Sequence, residues 1–137
     1  MEVNVYWEYT GHEEESIDYT RVLYAYLSRT SKKIQYIGKA DYCSVSERMK
    51  GKHKESVFKY IQDELRLTEI FCIVGVLAIP EGRKYSSELL SDVESLLIKE
   101  LQPSANIQSK GSRISRPGLV VNCLGDWPCK TDTFYDE

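Results

Sequence analysis

Val22-Leu23-Tyr24-Ala25-Tyr26-Leu27-Ser28, a polar turn over 29–33, and then Ile34-Gln35-Tyr36-Ile37-Gly38-Lys39 form the stretch on which the fold turns. From Arg21 to Ser28 the side chains alternate, with Leu23, Ala25 and Leu27 on one face and Val22, Tyr24 and Tyr26 on the other. This predicts a strand whose leucines meet a core and whose tyrosines face something else. The turn brings Ile34 to Ile37 back as an antiparallel partner, with Tyr36 within reach of the first strand. Gly38 is expected to end that second strand, where a side chain would obstruct a backbone or ligand approaching closely.

Upstream, Val3 to Tyr9 alternates as a strand and Gly11 to Glu15 reads as a polar loop. Downstream, Ser44-Val45-Ser46-Glu47 has the form of a capping box, so a helix should start there. It carries Arg48 and is interrupted near Gly51, with a second helical stretch from about His53 to Leu67. Glu69 to Ile79 is an apolar, β-rich run closed by Pro80-Glu81-Gly82, and reads as the central, most buried strand. Ser86 or Ser87 caps a last long helix that runs to about Leu101 and stops before Pro103. On it Leu89, Leu90, Val93, Leu96, Leu97 and Leu101 form one stripe, with Glu94 at its shoulder. A carboxylate there costs desolvation energy unless a cation or donors compensate, although a rim glutamate can also reach into water. Gly118 to Asn122 adds an edge strand, and Trp127-Pro128 and Tyr135 pack back on the body. The expected fold class is α/β in the α+β sense: one domain over 1–137, with a small, mainly antiparallel central sheet flanked by helices and an extension over 109–137 packed on it.

The chain has 137 residues, enough for one domain with a real core. Hydrophobic residues are 42% and charged residues 28%, and no apolar run approaches the roughly 18 residues that cross a bilayer, so no membrane role is expected. The start Met1-Glu2-Val3-Asn4 has neither a basic n-region nor an apolar h-region, which points to the cytoplasm. Cys43, Cys72, Cys123 and Cys129 lack paired Cys-x-x-Cys spacing, which argues against structural zinc. The net charge of −3 argues at first against a polyanionic partner. Its distribution reverses that impression: from Arg29 to Lys59, nine Lys/Arg face three acids, a local +6 on a body of −9. Such a patch steers phosphate to one face, or is simply a solvated lysine-rich helix.

Taken in order, Tyr24, Tyr36-Ile37-Gly38, Arg48, His53, Glu94 and Pro103-Ser104-Ala105-Asn106 resemble the motifs of the GIY-YIG nuclease family. The resemblance covers about residues 20–108. The chain departs from the family pattern in Val22-Leu23-Tyr24, which stands for Gly-Ile-Tyr, and in His53, which comes five residues after Arg48 instead of four.

The resemblance implies metal-assisted hydrolysis of DNA phosphodiesters. Glu94 would be the ligand of Mg²⁺ or Mn²⁺, since a hard ion accepts one carboxylate supplemented by water and phosphate. Arg48 would grip the scissile phosphate through two donors. Tyr24 would act as general base if Lys39, Arg48 or His53 favoured its phenolate. Tyr36 would position water or phosphate, and Asn106 would fix the geometry of the site. Lys50, Lys52, Lys54 and Lys59 would hold the nucleic acid. Specificity would be low, or would come from a partner protein, from DNA structure or from the C-terminal segment, and double-strand cleavage would need a homodimer or sequential nicks. Two alternatives remain: a nucleic-acid-binding or protein-interaction module of this fold without turnover, and an RNA-cleaving nuclease. Apart from the family, a strand tyrosine such as Tyr24 is most often a packing residue.

Overall fold

Six runs of alternating or apolar sequence pair into one mixed sheet in the computed structural model, which describes residues 1–9, 20–28, 31–45, 47, 59, 70–80, 82–106 and 118–136. The strands are β1 (Glu2–Tyr9), β2 (Val22–Ser28), β3 (Ile34–Ala40), β4 (Ile70–Ala78), β5 (Val120–Gly125) and β6 (Thr133–Tyr135). They lie in the order β3-β2-β4-β1-β5-β6. Every pairing is antiparallel except β1 with β5, which run parallel. A long helix, α1 (Ser87–Leu101), gives the sheet an α+β arrangement.

Period-two alternation sorts the side chains of β2 as expected. Leu23, Ala25 and Leu27 join Val3, Val5, Trp7, Ile73, Val121 and the buried leucines of α1 in one large cluster. Val22, Tyr24 and Tyr26 lie on the other face with Tyr36, Ala40, Val45, Cys72, Val74 and Ala105. β2 is therefore buried along its whole length, whereas β4 exposes Phe71, Val76 and Ala78. The most buried strand is β2 rather than β4. β4 does hold a central place, between β2 and β1.

Ser86 caps α1, its hydroxyl accepting from the Leu89 amide at 3.0 Å, and Gln102 closes the helix in the left-handed region at φ 48°. Besides the expected leucines, Asp92, Ser95 and Ile98 are buried, so the helix is enclosed more widely than its apolar stripe implies. The Ser44–Glu47 box forms: the Glu47 amide donates to Ser44 Oγ at 3.1 Å and the Ser44 amide to Glu47 Oε1 at 3.3 Å. Val45, Glu47 and Lys59 are helical; the rest of the helix expected from the box to near Gly51, and of the second from about His53 to Leu67, lies outside the described residues.

Two expectations at the sheet's far side change. Only Val120–Asn122 of the 118–122 run lie in β5, which continues to Gly125 and is an interior strand because β6 pairs beyond it. Trp127 does pack back, its ring centroid 5.2 Å from that of Trp7, whereas Tyr135 is exposed.

Candidate active site

Gly38 does not end its strand. β3 continues to Ala40, and Gly38 pairs directly with Tyr24 across the hairpin. A Cβ at Gly38 would lie 2.6 Å from both the ζ carbon and the hydroxyl oxygen of Tyr24, and 3.0 Å from the Tyr36 ring. The close approach anticipated at this glycine is thus made by the phenol end of Tyr24 itself.

Three tyrosines form one aromatic group on this face. Tyr24 and Tyr26 have ring centroids 5.7 Å apart, Tyr26 and Tyr36 5.7 Å, and Tyr24 and Tyr36 6.2 Å. Tyr24 and Tyr26 are each 1% exposed and Tyr36 7%. Burial, reinforced by the neighbouring Cys72 and Tyr36, pushes the Tyr26 phenol far above its ordinary value, so it stays protonated at neutral pH. The general base is not to be sought there.

β3 is the sheet's edge strand, and the segment after α1 is fastened to it. Asn106 is buried; its side-chain oxygen accepts from the Ile37 amide at 2.8 Å and its side-chain nitrogen donates to the Ile37 carbonyl at 2.8 Å. The Ala105 amide donates to the Gln35 carbonyl at 2.8 Å. Thus Pro103–Asn106 crosses from the helix face of the sheet, round the β3 edge, to the tyrosine face, where Ala105 packs. An amide side chain is suited to this: it offers one donor and one acceptor, as a paired strand would.

Lys39 projects to the opposite face, where its ammonium donates to Ser91 Oγ on α1. Glu94, one turn beyond Ser91, is half-buried on the same helix. Lys39 and Glu94 therefore stand on the helix side of β3 and Tyr24 and Tyr36 on the other, and only the strand's edge connects the two sides. Arg48, His53, Lys50, Lys52 and Lys54 lie outside the described residues; Lys59 is helical and exposed. Among the described residues no three His, Cys, Asp or Glu side chains converge.

No protein-family model, curated protein or solved structure matches this chain. The resemblance to the GIY-YIG nucleases rests on the motif residues alone.

Where β3 ends, a second group assembles that periodicity did not reveal. Asp41 is buried, and its Oδ1 accepts from the Tyr85 hydroxyl. Desolvation tends to raise its pKa, but the Ser87 and Tyr85 hydroxyls and the charges of Lys39 and Arg21 outweigh it, holding the carboxyl below its usual value. Burial and the same carboxylate push the Tyr85 phenol well up. The Arg21 guanidinium sits 5.1 Å from the Tyr85 ring centroid, and the Tyr42 hydroxyl is 3.1 Å from Ser87 Oγ. These residues line a cleft of about 220 Å³ beside the start of α1. The nearest sequence signal was the cap at Ser86, which located the helix start but not the partners that meet it.

Proposed function

We propose that this chain is a metal-dependent endonuclease that hydrolyses DNA phosphodiester bonds. The observation that supports this reading most is the double hydrogen bond between Asn106 and Ile37, 69 residues apart in sequence. It joins the Pro-x-x-Asn element to the Tyr-Ile-Gly strand, so the two halves of the motif meet at one edge of the sheet. Lys39 and Glu94 flank that edge from the helix side.

Glu94 would hold Mg²⁺ or Mn²⁺, a fit of donor chemistry, because a hard ion needs only one protein carboxylate when water and phosphate complete its shell. The ion would stabilise charge on the leaving oxygen. Lys39 and Arg48 would neutralise the scissile phosphate as negative charge builds, and His53 would add to that field. Tyr24 would take a proton from the attacking water as its oxygen bonds to phosphorus and the ester oxygen leaves, and Tyr36 would orient that water. Asn106 acts through the backbone of β3 as a positioning residue. Lys50, Lys52, Lys54 and Lys59 would supply phosphate contacts without regard to sequence.

The test is nicking of plasmid and branched DNA with Mg²⁺, with Mn²⁺ and with EDTA. Cleavage should require the divalent ion and should vanish in Glu94→Gln with the fold intact. Full activity in EDTA, or undiminished cleavage by that variant, rejects the metal assignment. The depth at which Tyr24 is buried favours a second reading, a DNA-binding module of this fold without turnover. Tight, salt-sensitive DNA binding with no cleavage under any of these conditions would select it.

A further inference from the structure

The cleft at the end of β3 is lined by Arg21, Asp41, Tyr42, Tyr85, Ser86 and Ser87. None of them belongs to the nuclease motif. Tyr42 is the most exposed large hydrophobic side chain among the described residues, at 89%, yet its hydroxyl is tethered to Ser87. A ring held at its tip with its faces bare is a preformed stacking platform. Arg21, also on the lining, is exposed and in the left-handed backbone region at φ 60°, with its guanidinium held against the Tyr85 ring. It offers a fixed cation at the rim.

The floor carries the opposite charge. Asp41 accepts from the Tyr85 and Ser87 hydroxyls, but a carboxylate has about four lone-pair sites and so retains capacity for a further donor. An anion is excluded from such a floor. A neutral planar group bearing N–H donors is not, and a nucleobase is that group, its own phosphate being left outside near Arg21. Paired bases cover their faces by stacking and their donors by pairing, so the occupant must be unpaired.

We propose that this cleft receives one unpaired nucleobase of a DNA substrate, stacked on Tyr42, hydrogen-bonded to Asp41 and flanked at its phosphate by Arg21. This deepens the nuclease reading and rests on its DNA-binding part. From Lys39 to Tyr42 the chain reaches at most about 10 Å, so the base site adjoins the edge proposed for cleavage. The substrate class is DNA with a flap, bulge or frayed end rather than continuous duplex.

The experiment measures binding in EDTA, where cleavage is absent. It uses a flap DNA carrying 2-aminopurine in its unpaired arm and a fully paired duplex of the same length. Wild-type protein should bind the flap more tightly and quench the 2-aminopurine fluorescence. Tyr42→Ala should lose the quenching and about 10-fold or more of flap affinity, the scale of one base–aromatic stack, while duplex affinity stays unchanged. Tyr42→Phe should keep most of both, and Arg21→Gln should weaken flap binding with quenching retained. Unchanged melting temperatures will show that these variants fold. Equal affinity of the wild type for both DNAs, or an equal effect of Tyr42→Ala on both, overturns the base site and leaves the nuclease reading standing. Failure of the wild type to bind either DNA overturns that reading and the base site with it.

Discussion

Tyr24 and Gly38 are a matched pair, and substituting either separates packing from chemistry. Alanine at Gly38 would force its Cβ into the Tyr24 ring, a contact of 2.6 Å that only a shift of strand or ring relieves. Gly38→Ala should therefore destabilise the protein by about 1–3 kcal/mol, the usual cost of overpacking, as read from urea denaturation. Tyr24→Phe keeps the ring over Gly38 and should leave stability nearly intact. If the phenol serves as base, the cleavage rate of that variant should fall by at least about 10²-fold; a wild-type rate would make Tyr24 a packing residue. Asp41 adds a pH dependence. Its folded-state pKa lies below the unfolded value, so its ionised form contributes stability above about pH 3.9 that is lost as pH falls through the lower folded value. Asp41→Asn should melt at a lower temperature than wild type at pH 7, with the gap closing below about pH 4 in a series of melting curves. The facing of Leu23 and Tyr24 was legible because alternation is local. The Asp41–Tyr85 contact was not, because its partners are 44 residues apart and meet only when α1 docks.

Edge strands expose unpaired backbone groups that invite association, and β3 avoids this with a side chain. Asn106 supplies to Ile37 the donor and acceptor that a seventh strand would have supplied. Asn106→Ala leaves both Ile37 groups without these partners, at a cost of about 1–3 kcal/mol in stability. Hydrogen exchange should report it locally, with the Ile37 amide exchanging faster in the variant than its neighbours on β2. An unchanged Ile37 rate would mean that the edge is protected by something other than Asn106. Strand and helix identities could be read from period and caps, as at Ser86 and at the Ser44–Glu47 box. Positions within the sheet could not. β5 reads as an edge because Thr133–Tyr135 is too short to announce a strand, and β4 reads as the most buried because its apolar run is unbroken. What sets burial is the cover on both faces, which β2 gains from α1 on one side and from Tyr36, Val45 and Ala105 on the other.

Across the molecule, β1 is the hinge of the architecture: it sits between β4 and β5 and binds β5, and β6 beyond it, into the same sheet and core. Val3, Val5 and Trp7 pack with Val121, Cys123 and Phe134 as well as with α1. Deleting residues 109–137 strips β5 and β6 from β1 and removes Leu119, Val121, Cys123 and Phe134 from that cluster. The truncated chain should lose its cooperative thermal transition and become sensitive to limited proteolysis within β1; a sharp transition near the full-length temperature would show the segment to be dispensable. The sequence marks 20–108 as the stretch with family likeness, but a motif records chemistry and is silent on which strands carry the load. The parallel β1–β5 pairing also sets a timetable. Glu2 pairs with Val120, so β1 leaves the ribosome well before β5 and waits for it before this side of the sheet can form. Until then its apolar face is a target for chaperones or for aggregation, and refolding from denaturant should be slow, in the millisecond-to-second range of chains dominated by distant contacts.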